Sequence, residues 1–312
     1  MGDVIVVSRD EVRQLLDPGE LRDALSVALT ALSSGETSVP ARVAAVAPNG
    51  LLGAMPGYVP GLGLAAKLVG VFAGNATLGL PSHQAVIVLF DAETGSTVAV
   101  MDGTEITAAR TAMTAAIAAS ALARPDARVL AILGAGVQGT AHLAAFEHLL
   151  AIGEVRVASR DDGRAKALAA RHSTGVAVEG FEAAVRGADI VCCCTDARSP
   201  VVDDAWIAPG THVSSVGMGA ELDPATIERA EVFVESRAAF DPPPAGAVEL
   251  QGRDPSSATE VGAVLDQRAP GRSSVDAVTV FKAVGNAAED VAAAAVVLRR
   301  ARALGRGITI AL

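Results

Sequence analysis

The chain of 312 residues is short of aromatic and basic side chains. It has one Trp and one Tyr, and 35 acidic residues outweigh 25 basic ones, for a net charge of −10. Nucleic-acid binding normally needs a basic surface and stacking rings, so nucleic acid is excluded as the main partner. The longest small-apolar runs, near 112–123 and 291–298, fall well short of the ~20 residues that a membrane helix requires. The apolar residues, 51% of the chain, are therefore predicted to form a buried core.

The cysteines are few and badly placed for disulfides or metals. All three are consecutive, at 192–194, inside an apolar run where neighbours point to opposite faces of a strand. Metal-ligand pairs need about two to four intervening residues, so no metal site is expected and the cysteines are predicted to be small core residues. The chain reaches an acidic helix without the basic and apolar regions of a secretory signal, which favours a cytoplasmic protein.

The first 110 residues or so mix helices with strands. Ser8 followed by Glu11 predicts a capped helix start, and Asp17-Pro18 predicts a second helix that ends near Gly35. Short apolar stretches at 43–46, 64–72 and 85–90 are typical of strands. This is not the pattern of a parallel α/β sheet.

From residue 128 onward the pattern changes to alternating strands and helices. The apolar runs are RVLAIL, VRVAS, VAVE, DIVCCCT, HVSSVG and EVFVES. This alternation predicts a doubly wound parallel sheet of the Rossmann type, and hence an α/β fold. The Ala-rich stretch 107–123 predicts a long buried helix that joins the two regions, and a last helix over 287–303 returns to the first region.

A glycine-rich turn carries the clearest chemical signal. The strand RVLAIL runs into a G-x-G-x-x-G motif and then a helix, and the motif residues are Gly134, Gly136, Val137, Gln138 and Gly139. In this context the motif indicates a dinucleotide site, because the glycines allow a tight turn and close approach of a pyrophosphate to the helix N-terminus.

In dinucleotide-binding domains, residues at the end of the next strand bind the ribose of the cofactor. An NAD-binding protein usually has an acidic residue there, and this chain has Ser159 followed by Arg160. A hydroxyl and a guanidinium suit a 2′-phosphate, so we predict that NADP(H) is preferred, with NAD(H) possible. Asp161 and Asp162 directly after weigh against this preference.

Three lone cations lie in apolar or Gly/Pro-rich surroundings of the first region: Arg42, Lys67 and Arg110. Two arginines and a lysine that converge would suit a small carboxylate, although each could also be a solvated strand or helix end. Spacing alone does not show that they converge. Among the histidines, His83 follows a turn and could lie near a site, while His142 on the dinucleotide helix is expected at the surface.

Several motifs in one order resemble those of the ornithine cyclodeaminase/mu-crystallin family. They are GLPSHQAVIVLFDAETGSTVAVMDGTEITAARTAMTAAIAASALA, LAILGAGVQG and TVFKAVGNAAEDVAAA, and the resemblance covers roughly 39–298. PSHQ, VMDG, GAGVQ and EVRV-x-S-R are most similar to the mu-crystallin, or ketimine reductase, branch. The family pairs a nicotinamide-cofactor Rossmann domain with an α+β substrate and dimerisation domain. The resemblance places the former at 119–287 and the latter at 1–118 and 288–312, and implies a homodimer.

The resemblance also implies roles for individual residues. Arg42, Lys67 and Arg110 would line the substrate pocket as the catalytic set, with both arginines on the carboxylate. The further candidates for cofactor binding are Ser82, His83, Arg110, Thr111, Thr195, Val216 and Val284. Family members act on the C–N bond of small amino acids or cyclic imines, which makes a small amino or imino acid the expected substrate.

One loop departs from the family pattern. After the strand HVSSVG the cyclodeaminases carry an aspartate in a loop of the form G-x-D-x-x-G-K-x-E-L. This chain is about four residues shorter between Gly217 and Leu222 and has no such aspartate, so Glu221 would have to replace it or the reaction would differ. The leading hypothesis is NADPH-dependent reduction of a 2-imino acid with Lys67 as the acid. The alternatives are an ornithine or lysine cyclodeaminase, an alanine-dehydrogenase-like enzyme, and a hormone-binding protein like mu-crystallin without catalysis.

Overall fold

The computed structural model describes residues 3–217, 219–243 and 245–311. The chain forms two compact units: unit 1 contains Met1–Arg110 and Asn286–Leu312, and unit 2 contains Thr111–Gly285. The boundaries expected from the sequence, after residues 118 and 287, lie slightly further along the chain. The functions assigned to the two parts remain predictions.

Unit 1 is built on a mixed sheet. Among the described residues its strands are β1 (Asp3–Val7), β2 (Val43–Ala47), β3 (Gly50–Val59), β4 (Gly63–Val71), β5 (His83–Phe90), β6 (Thr97–Asp102) and β15 (Ile308–Ala311). Its helices are α1 (Arg9–Leu15), α2 (Pro18–Ser33), the first part of α3 (Gly103–Leu122), and α9 (Ala287–Leu304). A short 3₁₀ helix spans Ala73–Leu78.

The strand order in unit 1 is β15-β1-β6-β5-β4-β3-β2, and among the described strands the β1/β6 pair is parallel and the others are antiparallel. The strands predicted near 43–46, 64–72 and 85–90 are present as β2, β4 and β5. The remaining four strands were not predicted from the sequence. In β3 the glycines and the proline interrupt the apolar pattern, whereas β1, β6 and β15 are strands of only four to six residues, too short to show a clear period.

Capping residues set the helix starts as predicted. The Ser8 side chain accepts a hydrogen bond from the backbone N–H of Glu11, and the Glu11 carboxylate accepts one from the backbone N–H of Ser8. Asp17 caps α2 by accepting from the backbone N–H of Glu20. Both caps satisfy N–H groups that a helix cannot bond internally.

Unit 2 is a parallel α/β domain. Its described strands are β7 (Val129–Leu133), β8 (Glu154–Ala158), β9 (Gly175–Ala177), β10 (Ile190–Cys193), β11 (His212–Ser215), β12 (Glu231–Val234), β13 (Ala258–Glu260) and β14 (Thr279–Lys282). Its helices, besides the rest of α3, are α4 (Val137–Leu149), α5 (Asp162–Ala169), α6 (Phe181–Val185), α7 (Pro224–Arg229) and α8 (Val261–Leu265). Short 3₁₀ helices span Asp204–Trp206, Arg237–Phe240, Val248–Leu250 and Pro255–Ser257.

The predicted doubly wound sheet is confirmed. All ladders in unit 2 are parallel, in the order β13-β12-β14-β11-β10-β7-β8-β9. The strand order reverses between β7 and β10, and ligands of such sheets bind outside the carboxyl ends of the strands at that point. The glycine-rich turn after β7 lies at this reversal.

The six predicted apolar runs correspond to β7 through β12. Cys192 and Cys193 are buried in β10, and burial raises the pKa of both thiols, so they stay protonated at neutral pH. No helix in the described part of the chain combines the length and apolar character needed to cross a membrane.

Candidate active site

Lys67 lies in the middle of β4, on the buried face of the unit 1 sheet. The residues opposite it on the adjacent strands, Met55 and Ile87, are buried apolar side chains. The Lys67 side chain is itself only 3% exposed. A buried ammonium in apolar surroundings requires an opposite charge close by.

Helix α9 supplies acidic side chains to the same unit. Glu289 and Asp290 lie in its first turn, and Asn286 caps the helix by accepting hydrogen bonds from two backbone N–H groups. The helix approaches β3 closely, because a Cβ atom at Gly57 would lie 2.8 Å from the Cβ atom of Ala287. The positive end of the helix dipole favours carboxylates at this position.

The two acids pair with two of the predicted cations. One carboxylate oxygen of Asp290 lies 2.8 Å from Nζ of Lys67, and the other lies 3.1 Å from Nε of Arg110. Arg110 also forms an ion pair with Glu289. Each of the four side chains is almost fully buried, so two buried positive charges are balanced by two negative ones.

The pKa of Lys67 is strongly affected by this environment. Its pKa falls from the usual value near 10.5 to about 8: burial is the largest cause, Arg110 and Arg42 add to the lowering, and Asp290 opposes it. Arg42 is half-buried, just before β2. Arg42 and Arg110, the other two cations predicted from the sequence, therefore both lie within electrostatic reach of Lys67.

Two of the predicted cofactor residues of unit 1 lie at the start of β5. Ser82 Oγ and His83 Nδ1 are 3.1 Å apart, and both residues lie towards the surface. Thr111 follows Arg110 in α3 and is buried. Their part in cofactor binding remains a prediction.

The glycine-rich turn of unit 2 has the geometry that the motif predicts. Gly134 has φ +104, and a Cβ atom there would lie 2.6 Å from the carbonyl oxygen of Cys194. A Cβ atom at Gly139 would lie 1.9 Å from the carbonyl oxygen of Gly134, whereas one at Gly136 would meet open space. Gly136 is also the N-cap of α4 and provides no side chain to cap it. The first-turn N–H groups can thus face a phosphate.

His142 on α4 was expected at the surface, and that prediction is wrong. The imidazole is fully buried, and its Nδ1 lies 2.8 Å from the carbonyl oxygen of Gln138, one turn earlier. Burial lowers the pKa of His142 to about 4, so the ring is neutral at physiological pH. The ring stacks on Phe146, one turn later, with the ring centroids 6.0 Å apart, and both belong to the buried face of α4.

The end of β8 holds the residues expected to select the cofactor. Ser159 is half-buried and Arg160 is exposed. The Asp161 carboxylate, the acid that could compete for a ribose, caps α5 by accepting from the backbone N–H of Arg164 and pairs with that arginine at 3.3 Å. Among the described ion pairs, none involves Arg160.

The other predicted cofactor residues of unit 2 follow neighbouring strands at the same sheet edge. Thr195 follows β10, Val216 follows β11, and Val284 follows β14. Glu235 fixes the last of these turns, since its carboxylate accepts from the backbone N–H groups of Val284 and Gly285. The sequence analysis missed this buried glutamate.

Comparison with known proteins assigns the chain to a family. The profile of the ornithine cyclodeaminase/mu-crystallin family matches residues 3–305. The chain belongs to that family.

Individual relatives cover nearly the whole chain. Ketimine reductase mu-crystallin of Mus musculus is 37% identical over 303 residues, which are 93% of this chain and 95% of the relative. Delta(1)-pyrroline-2-carboxylate reductase of Paracoccus denitrificans is 34% identical over 311 residues, 92% of this chain and 96% of the relative. The Delta(1)-pyrroline-2-carboxylate reductase of Thermococcus litoralis, solved with NADH and L-proline, is similar with a TM-score of 0.91 and 30% identity, and covers 98% of this chain and 100% of its own.

The loop after β11 is the one that the sequence predicts to be shorter than in the cyclodeaminases. Met218 lies outside the described residues, whereas Glu221 in the same loop is fully buried. One Glu221 oxygen accepts from the backbone N–H and the hydroxyl of Thr195, at 2.8 and 2.6 Å. The other accepts from the Ser215 hydroxyl and the backbone N–H of Gly217, both at 2.8 Å. A carboxylate that accepts four hydrogen bonds holds this loop in place.

A buried lysine completes this network. Nζ of Lys282 lies 2.6 Å from a carboxylate oxygen of Glu249 and donates to the Ser215 hydroxyl and the carbonyl oxygen of Gly217. The other Glu249 oxygen accepts from the backbone N–H of Glu221 at 2.7 Å. Side chains therefore tie the ends of β10, β11 and β14 together at the edge where the glycine-rich turn lies.

The sequence analysis named Glu221 but missed Glu249, Glu289 and Asp290. Glu289 and Asp290 resemble ordinary acidic residues of a first helical turn, which usually face solvent. A usable signal was the presence of lone cations in apolar strands, because a buried cation implies a buried acid elsewhere.

Substitution of Glu221 by Gln should destabilise unit 2. The amide nitrogen cannot accept from the Ser215 hydroxyl or the Gly217 N–H, so buried donors lose their partner and the free energy of unfolding falls by about 2–3 kcal/mol. Urea denaturation measures it. Glu228→Gln is the control, since Glu228 is exposed and lies 3.8 Å from Arg253, and it should change stability by less than about 0.5 kcal/mol. Equal effects of the two changes would show that the buried hydrogen bonds of Glu221 contribute nothing.

Proposed function

We propose that this protein reduces the C=N bond of a small 2-imino acid, with a cyclic imino acid as the substrate class and NADPH as the reductant. The observation that carries the proposal is the buried Lys67 ammonium, with a pKa of about 8, beside Arg110 and within reach of Arg42. At the broader level, the protein is an NAD(P)-dependent oxidoreductase of its family that acts on the C–N bond of a small amino or imino acid.

The dinucleotide is assigned to unit 2. The open space at Gly136, the uncapped start of α4 and the close packing at Gly134 and Gly139 fit a pyrophosphate. A bound nicotinamide dinucleotide supplies the hydride for reduction or accepts it in the reverse direction. Thr195, Val216 and Val284 follow strands at the same edge, and their fixed backbone would orient the cofactor.

The substrate's carboxylate is assigned to the cations of unit 1. Arg42 and Arg110 would hold the carboxylate, since guanidinium groups donate two parallel hydrogen bonds to it. This positions the C=N bond and removes orientational freedom before reaction. Lys67 then donates a proton from Nζ to the imine nitrogen as hydride reaches the carbon, and C=N becomes CH–NH. Solvent returns a proton to Lys67.

Selectivity for NADPH is attributed to Ser159 and Arg160. Arg160 is exposed at the end of β8 and could form a bidentate pair with a 2′-phosphate. Asp161, which weighed against this preference in the sequence, is engaged in capping α5. The relative from Thermococcus litoralis was solved with NADH, and the turnover of this chain with NADPH and with NADH tests the preference.

Oxidation of an amino acid is the second candidate function. The same Lys67, with a pKa near 8, would act as a base on an amine and favour an alanine-dehydrogenase-like reaction at higher pH. Cyclodeaminase chemistry is less well supported, because the loop aspartate is missing and Glu221 is fully engaged. A hormone-binding role would need aromatic surfaces, and only 3% of the chain is aromatic.

A homodimer is proposed from an uncovered apolar surface. On the unit 1 sheet, the face opposite Lys67 carries Val43, Leu52, Tyr58 and Leu68, all exposed. Such a contiguous apolar patch normally lies in an interface. An archaeal alanine dehydrogenase with a TM-score of 0.90 and 28% identity was solved as a dimer with NAD. A cytoplasmic location also remains a proposal.

The cofactor and substrate proposals can be tested together by following the oxidation of NADPH and NADH by absorbance. The panel contains cyclic imino acids, and 2-keto acids with ammonia or methylamine. We expect turnover of a cyclic imino acid with NADPH favoured over NADH, and Arg160→Ala should remove at least tenfold of that preference by deleting the phosphate partner. A clear NADH preference would refute NADPH selectivity. If cyclic imines are inert and ornithine gives ammonia and a cyclic amino acid without net NADPH change, the enzyme is a cyclodeaminase.

Removal of the Lys67 ammonium should abolish most turnover. We expect Lys67→Met to lower kcat about 10²–10⁴-fold, the usual contribution of a general acid, while NADPH affinity is unchanged. Lys166→Met is the matched control, because Lys166 is exposed. For the wild type, kcat/KM for reduction should fall as pH rises through about 8, where Lys67 loses its proton, and oxidation should rise over the same range. Full activity of Lys67→Met would exclude the acid role.

The dimer should be detectable by light scattering at micromolar concentration, with twice the mass of the chain. Leu68→Glu puts a charge into the proposed interface and should shift the protein to monomer. Val27→Glu is the control, since Val27 is an exposed apolar residue on α2. A monomeric wild type, or equal behaviour of both variants, would contradict this interface.

A further inference from the structure

One buried carboxylate serves two cations in unit 1. Asp290 presents one oxygen to Nζ of Lys67 at 2.8 Å and the other to Nε of Arg110 at 3.1 Å. The Asp290 side chain is only 2% exposed. Water can do little to stabilise any of the three charges, so each depends on the others.

Charged groups reach Lys67 from several elements. Helix α9 presents Asp290 and, next to it, Glu289; helix α3 presents Arg110; the segment before β2 presents Arg42. Strands β3 and β5 present apolar side chains opposite Lys67. Burial and two cations thus favour the neutral amine, and Asp290 is the group that directly opposes them.

We infer that Asp290 is a positioning residue of the reaction, whose two carboxylate oxygens hold Lys67 and Arg110 side by side. A negative charge next to Nζ favours the protonated form of the lysine. Asp290 acts through Lys67 and does not itself donate the proton. The inference rests on the proposed function for its catalytic consequence, whereas the hold on Lys67 stands on the ion-pair geometry alone.

Substitutions of Asp290, Arg110 and Glu289 should change the pH at which Lys67 loses its proton in different ways. Asp290→Asn keeps the shape of the side chain but removes the charge, so Lys67 should lose its proton at lower pH. Arg110→Gln removes a repelling cation and releases Asp290 for Lys67, so Lys67 should lose its proton at higher pH. Glu289→Gln is the matched control, since it removes the adjacent acid, whose ion pair is with Arg110.

The chain allows a direct measurement of this proton. It contains only three lysines, Lys67, Lys166 and Lys282, so NMR of protein labelled with ¹³C and ¹⁵N in the lysine side chains gives three sets of signals. Lys67→Met identifies the signal of interest by its loss, and Lys166→Arg removes the exposed lysine. The titration midpoint of Lys67 is then followed in the wild type and in each variant, without substrate or cofactor.

We expect the Lys67 midpoint to fall by about one pH unit or more in Asp290→Asn, the usual effect of losing an adjacent opposite charge. It should rise in Arg110→Gln, move less in Glu289→Gln, and stay near the wild-type value in Asp290→Glu. A purely structural role would not produce opposite shifts in two variants. An unchanged midpoint in Asp290→Asn, or an equal shift in Glu289→Gln, overturns the inference. If Asp290→Asn does not fold, Asp290→Ser takes its place, and an unchanged Lys67 midpoint in that variant overturns the inference.

Kinetics separate this inference from the proposed function. If Lys67 donates the proton, a midpoint lowered by one unit makes kcat/KM for imine reduction by Asp290→Asn roughly fivefold lower at pH 8 and close to wild type at pH 6. If the NMR midpoint moves but the rate profile does not, Lys67 is not the proton donor and the proposed mechanism is wrong. If the NMR midpoint does not move, the role of Asp290 is wrong whatever the rates.

Discussion

The charge balance around Asp290 is the constraint on which unit 1 depends. A lysine and an arginine point into the apolar space between a sheet and helix α9, and neither is tolerable there without a carboxylate. Helix α9 meets this need because its first turn carries two acids and its approach to β3 is permitted by Gly57. Sheet, helix and charge cluster are therefore interdependent, since moving α9 by a residue would leave Lys67 and Arg110 buried without partners.

Buried charges also organise the carboxyl edge of the unit 2 sheet, but there most of the buried charges are carboxylates and their partners are mainly hydrogen-bond donors of the backbone. There the buried acids Glu221 and Glu235 mostly hold backbone N–H groups of loops, and Lys282 neutralises Glu249. Loops between parallel strands carry many backbone groups without sheet partners, and a buried carboxylate can accept several of them at once. Buried side chains therefore fix the shape of the loops at the sheet edge where we propose that the dinucleotide binds, and these side chains do not need to contact a ligand themselves.

Much of this was accessible from the sequence because it is local. Strand periodicity predicted β7 through β12, and capping rules placed the starts of α1 and α2 at Ser8 and Asp17. The partners of Lys67 were not accessible, since Asp290 lies 223 positions away and looks like a solvated acid at a helix start. Likewise, nothing near Glu221 reveals that Thr195 and Ser215 will surround it. Local patterns predict elements, whereas burial of a particular charge is decided by distant packing.

The choice of lysine at position 67 follows from the same electrostatics. The chain has 25 basic residues, of which only three are lysines, and Lys67 is one of two that are fully buried. An arginine there would satisfy Asp290 equally well as a charge, but a guanidinium keeps its proton at any pH at which the protein is folded. A lysine whose pKa is brought to about 8 by burial can both pair with Asp290 and release a proton. Under the proposed function the three cations have different roles. Arg42 and Arg110 bind the substrate's carboxylate, and Lys67 transfers the proton, which neither arginine can do.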